Sequence, residues 1–187
     1  MTRDEALKLL KKYNSSESLL QHAYAVEAVM RYFAHKRGED EEYWGNIGLL
    51  HDLDYELYPE QHCLKTEEIL REEGVDEGMI RSVLSHAYGI CTDVEPIHYM
   101  EKVLFAGDEL TGLIKATCLM RPSRSVLDVE VKSINKKWKD RAFAAGVDRN
   151  TIQKGLDMLG MERAEFIQEC IYAMRGSAQE IGLKGNL

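Results

Sequence analysis

Polar side chains interrupt apolar helical patterns at four places in this sequence, and each place carries a group able to hold a metal ion. His22 lies on or beside the apolar stripe of LLQHAYAVEAVM, and the pair His51-Asp52 closes the run NIGLLHD. His86 falls inside IRSVLSHAYG, and Asp108 sits within EKVLFAGDELTGLI. A carboxylate in so apolar a run needs a partner, because burying an unpaired charge is costly. One divalent cation would satisfy several such groups at once. Neutral imidazole nitrogens and carboxylate oxygens suit Fe, Mn, Co, Ni or Zn and, with fewer imidazoles, Mg. Adjacent His51 and Asp52 diverge on a regular helix, so they can share an ion only where the helix ends, and the following DLDYELYP reads as an ending.

Each of these residues also has a plainer reading. Taken alone, His22 is a core histidine bonded to a backbone carbonyl. His86 suits a helix C-terminus facing the macrodipole, His62 an exposed loop, and Asp54 a turn cap. A lone HD dipeptide arises readily by chance in a chain with this many histidines and aspartates. The helical setting, and not the dipeptide, carries the argument. His35 and His98 fit no constellation and are expected at the surface.

Helical periodicity dominates the elements that must position these groups. Thr2 caps a short helix over 2–12, and NSSES supplies hydroxyl caps for a helix over 17–36 that Gly38 stops. Its apolar positions Leu19, Ala23, Val26, Val29, Met30 and Phe33 follow the one-face rule. Further helices are expected over 41–53, from Pro59 to about 73, from the Asp76 cap to about 87, and over 97–120. Past Pro122, one helix is expected from Ser125 or Asp128 to about 144, a second from the Asp148 cap to 159, and a last over 163–181. Alternating β-branched runs are almost absent, so the fold class is all-α. The expected organisation is a single domain over 1–187, with a core over about 17–120 and a C-terminal helical extension over about 125–187 packed on it.

Bulk properties narrow the function classes. The 187 residues suit one domain with a core that needs no disulfides. With 32 acidic against 24 basic residues the formal net charge is −8, which argues against general nucleic-acid binding. It leaves small anionic substrates open, since a metal ion inverts the local field. Cys63, Cys91, Cys118 and Cys170 form no C-x-x-C pair, so a zinc–thiolate site is not expected. No signal peptide and no run long enough to span a membrane is evident, and free thiols point to a cytoplasmic location. The basic stretch 132–141 reads as a solvated helix face, with phosphate steering as the sharper alternative. The stripe of Met158, Leu159, Phe166, Ile167, Ile171 and Met174 reads as core packing or as a homodimer surface.

The order His22, His51-Asp52, Asp108 resembles the HD superfamily of metal-dependent phosphohydrolases over roughly 17–120, with MEKVLFAGDELTGLI especially similar to the helix bringing the final aspartate. The resemblance implies an HD-domain helical bundle in which those four residues bind one metal. Dinuclear branches add two histidines between the HD pair and the last aspartate. His62 and His86 occupy that interval 24 residues apart, which implies a second metal with Asp52 as the bridging carboxylate. The implied activity is hydrolysis of a phosphomonoester, phosphodiester or phosphoanhydride of a nucleotide or small phosphorylated metabolite, with a metal-activated hydroxide as nucleophile. Asp54 is the candidate to orient the water or shuttle its proton, or to stand as a carboxylate behind the metal ligands. Lys65, Lys115 and Arg121 are candidate phosphate-binding cations, from their positions after His62 and along and beyond the Asp108 helix. Two alternatives stand beside this: an HD-type di-iron oxygenase using the same ligand pattern, and a non-catalytic HD module binding a ligand.

Overall fold

The computed structural model describes residues 1–187. Nine α-helices follow one another: α1 (Arg3–Tyr13), α2 (Glu17–Arg37), α3 (Glu41–Leu50), α4 (Leu64–Glu72), α5 (Glu77–Leu84), α6 (Tyr99–Leu119), α7 (Val131–Trp138), α8 (Arg149–Leu159) and α9 (Arg163–Gly176). Single 3-10 turns occupy Pro59–Gln61 and Ser85–Ala87, and the only β feature is an isolated bridge between Tyr88 and Thr92. The fold is all-α, as the periodicity predicts.

Caps explain most helix starts. Thr2 and Glu5 form a reciprocal capping box on α1, while Asp40, Asp76 and Asp148 accept backbone N–H groups at the starts of α3, α5 and α8. Gly38 and Gly160 end α2 and α8 in the left-handed conformation. The long helices α2 and α6 lie against each other at the centre, with α3 on α2 and α8 on α6. Two close approaches fix this order. An added Cβ at Gly48 would meet the backbone of Glu27 at 3.0 Å, and one at Gly155 would meet the Ala106 side chain at 2.7 Å. Glu27, buried at that first crossing, is held by a bidentate pair with Arg3 at 2.5 and 2.9 Å. A continuous set of buried apolar side chains runs from Ala6 to Leu183, so the C-terminal helices share the core of the N-terminal ones.

Several boundaries differ from the sequence expectation. The third helix stops at Leu50 and gives way to turns over 51–57. Those turns are pinned from the α1–α2 corner: the Asn14 amide donates to the Leu53 carbonyl at 2.8 Å, and Glu56 accepts from Ser15 and Ser16. The helix expected up to 144 is only α7, ending at Trp138. Turns over 141–147 replace the remainder, because the buried Arg149 guanidinium donates to the carbonyls of Asp140, Phe143, Ala144 and Val147. The last helix ends at Gly176 and not at 181. No helix is long and apolar enough to cross a membrane.

Candidate metal centre

Four imidazoles meet between α2, the turns after α3 and α5, the Pro59–Gln61 turn and α6. Each has its Nδ1 committed outward. His51 Nδ1 lies 2.7 Å from the Gly48 carbonyl and His86 Nδ1 lies 2.7 Å from the Val83 carbonyl. Both acceptors belong to the last turn of a helix, where carbonyls lack intrahelical partners. His62 Nδ1 is 2.7 Å from Asp54 Oδ1, and His22 Nδ1 faces Thr111 Oγ1 at 3.4 Å, whose own proton goes to the Asp108 carbonyl. Carbonyls and carboxylates only accept, so His51, His86 and His62 carry their ring proton on Nδ1. Their Nε2 lone pairs then point into the site.

Those Nε2 atoms form two groups. In the first, His22 Nε2 lies 3.2 Å from His51 Nε2 and 2.9 Å from Asp108 Oδ1, and His51 Nε2 lies 3.4 Å from the same oxygen. In the second, His62 Nε2 faces His86 Nε2 at 3.2 Å. Asp52 stands between them. Its Oδ2 is 3.3 Å from His51 and 3.7 Å from His22, while its Oδ1 is 3.5 Å from His62 and 3.4 Å from His86. Donors held about 2.1 Å from one ion lie about 3.0–3.5 Å from one another, so both groups have the spacing of a coordination sphere. Two imidazoles facing Nε2 to Nε2 attract only if a cation, a proton or a metal ion, lies between them. The residues present therefore fit one ion in each group, with Asp52 reaching both.

The electrostatics of the metal-free cluster agree. Burial pulls the His51 imidazole down, but Asp52 and Asp108 overcome this and hold it well above its ordinary value. His62 is likewise lowered by burial and raised, on balance, by Asp54 and Asp52. Burial pushes the Asp52 and Asp108 carboxyls up, and the facing imidazoles outweigh it, leaving both below the ordinary range. The cluster thus favours positive charge on its rings and negative charge on its carboxylates, as a donor set able to hold a cation does.

Five of the six side chains line a cleft of about 490 Å³, within the range of small-molecule sites, and His51 is fully buried beside it. A larger groove of about 740 Å³ between α1 and the turn after α4 contains no histidine and no cluster of donors, so size does not single out the site. Tyr55, Pro59 and Ile90 form the outer rim, and Val147 and Thr151 bring the C-terminal helices into the wall.

Several residues stand differently from the sequence expectation. Asp54 does not face the cleft. It is fully buried behind His62, with Oδ1 on that ring and Oδ2 accepting the Thr66 N–H at 2.8 Å, so both oxygens are engaged and it orients His62 instead of handling a water. The three candidate cations also lie outside the lining. Lys65 pairs with Glu68 at 2.5 Å and Lys115 donates to Gln21 at 3.1 Å. Arg121 pairs with Asp128 at 2.8 Å and stands about 20 Å along the helix axis from Asp108. In the basic stretch, Lys132 is exposed beside Glu130 and Lys137 covers Phe143, which is the solvated-face arrangement. His35 is exposed against Glu41, and His98 caps α6.

Two neighbours of the site escaped the sequence reading. Glu109 lines the cleft and accepts the Asp148 N–H at 3.0 Å; burial and then the Asp108 charge push its carboxyl up to about 7. A bound cation would draw that value down again. Only its place next to Asp108 hinted at it. Cys63 is buried with φ 70° and ψ −41°, a conformation that costs a non-glycine residue about 1–3 kcal/mol. No local sequence signal announces it.

The family model of the HD domain matches residues 19–112, half of the chain, and the protein belongs to that family. No solved structure matches the chain.

Proposed function

We propose that this HD-domain protein is a metal-dependent phosphohydrolase acting on a nucleotide or another small phosphate ester. The observation that carries the reading is the orientation of Asp52, which offers one oxygen to each histidine group inside a cleft sized for a small molecule. Bound there, two divalent ions would supply a water acidified toward about pH 7 and a Lewis acid for the phosphoryl oxygen. The chain's own residues do the rest. His22, His51 and Asp108 hold one side of the site and His62 and His86 the other. The outward hydrogen bonds of the rings fix their orientation. Tyr55, Pro59 and Ile90 restrict water at the mouth. Glu109 is the only carboxyl in the lining besides Asp52 and Asp108, and is the candidate to protonate the leaving oxygen.

One observation favours a second reading. No lysine or arginine lines the cleft, so the ions alone would have to balance the charge of a phosphate. A di-iron oxygenase acting on a less charged substrate would need no such cation. The deciding experiment loads the chain separately with Mn(II), Co(II) and Fe(II) and follows phosphate release over a panel of nucleotides and small phosphate esters, with oxygen uptake in parallel. Phosphate release with Mn(II) or Co(II) under anaerobic conditions is the expected result. Oxygen uptake restricted to the iron form, with no phosphate released by any form, would replace the hydrolase by the oxygenase.

A further inference from the structure

Cys63 follows His62 directly in the chain, and adjacent side chains normally diverge, by about 100° on a helix and about 180° on a strand. Here they do not. His62, Cys63 and His86 each present a donor atom, and the three atoms lie within 4.8 Å of one another. The backbone conformation at Cys63, φ 70° and ψ −41°, is what turns two consecutive side chains toward one point. Cys63 is 1 % exposed, and its thiol lies within that same reach of the two imidazoles. Cys91 stands beside it but is exposed at the cleft rim.

We propose that Cys63 is a thiolate ligand of the ion held by His62 and His86. Ligation exchanges the S–H bond for an S–metal bond and releases one proton to solvent. The second subsite is then chemically unlike the first, whose donors are imidazole and carboxylate only. Sulfur favours zinc, iron or cobalt there and disfavours magnesium, which takes oxygen donors. This inference rests on the metal-binding part of the functional reading and is independent of which reaction follows.

The test is spectroscopic. The full chain is titrated with Co(II) to two equivalents, and the visible ligand-field bands report binding while a near-ultraviolet sulfur-to-cobalt charge-transfer band reports thiolate ligation. The expected result is a charge-transfer band that appears with one of the two equivalents, is abolished in Cys63→Ser and Cys63→Gly, and persists in Cys91→Ser. Glycine adopts positive φ without strain, so Cys63→Gly removes the sulfur while preserving the local backbone, and circular dichroism checks that it folds. The affinity for the affected equivalent should fall about tenfold or more in both Cys63 variants. Ligand-field bands without a charge-transfer band, or a charge-transfer band that survives Cys63→Gly, overturn the thiolate while leaving the metal site intact. Absence of cobalt binding altogether overturns both.

Discussion

At the scale of single residues, the site separates groups that converge on one another from groups that aim them. Asp54 belongs to the second kind. Its Oδ2 accepts a backbone N–H, so in Asp54→Asn an amide can satisfy His62 or Thr66 but not both. The affinity for the ion at His62 and His86 should drop about 10–100-fold while the ion at His22, His51 and Asp108 is kept. Calorimetric titration with zinc would show this as loss of one binding phase, and equal weakening of both phases would contradict it. Glu109 makes a different prediction, because its proposed task is proton delivery. Glu109→Gln should lower kcat about 10²–10⁴-fold on esters with poor leaving groups. On p-nitrophenyl phosphate, whose leaving group needs no proton, the loss should be small. An equal loss on both substrates would remove the acid role. The convergence of His22, His51, Asp52, His62, His86 and Asp108 was legible because polar groups in apolar helical runs break a periodic pattern. Which of the roles open to Asp54 holds, and the approach of Cys63 to His62, were not legible in the same way. Both depend on backbone direction at a turn, which spacing does not encode.

At the scale of elements, helix ends matter more than helix faces. His51 and His86 each sit just past the end of a helix, so a ring proton can cap a free carbonyl of the last turn while Nε2 looks inward. The sequence predicts that His51 and Asp52 require such an ending, and the helix stops three residues before the expected limit. The segment 141–147 was not legible at all. Its turns are held by Arg149, whose guanidinium gathers the carbonyls of Phe143, Ala144 and Val147 from a residue beyond the segment. That segment matters because Val147 and Thr151 complete the cleft wall, and α8 is seated by the contact of Gly155 with Ala106. Gly155→Ala places a methyl 2.7 Å from the Ala106 side chain and must push α8 away from α6. Overpacking of this kind costs about 1–3 kcal/mol. Thr151 lies one turn earlier on the same helix, so KM should rise together with the loss of stability. Gly146→Ala is the control, since its added methyl meets nothing and should change stability by less than about 0.5 kcal/mol. Urea denaturation of both variants, alongside KM, checks the pair, and a destabilised Gly146→Ala or an unaffected Gly155→Ala would refute the packing argument.

At the scale of the whole molecule, the donors come from widely separated parts of one core. They reach from α2 through the turns after α3 and α5 to α6, spanning residues 22 to 108. An ion held by these groups would add a further tie between helices that already share one core, so it should stabilise the fold. At free metal about one hundred times Kd the gain is about 2.7 kcal/mol, a rise in Tm of about 5–10 °C for a chain of this size. The pH dependence has a definite sign. Without metal, the His51 and His62 imidazoles are held above their ordinary value, so their contribution to stability is full below about pH 6.5 and is lost as pH rises through the raised values. The Asp52 and Asp108 carboxyls are lowered, so their contribution is present above about pH 4 and does not change between pH 6 and 9. Metal binding has the opposite slope, because each charged imidazole must release its proton before its Nε2 can ligate. The gap in Tm between metal-loaded and chelator-treated protein should therefore widen as pH is raised from 6 toward 8.5. Scanning fluorimetry with and without excess Zn(II) across that range measures it. A gap that is absent, or that narrows with rising pH, would mean that the buried imidazoles and carboxylates serve as a structural ion-pair network and not as a metal centre.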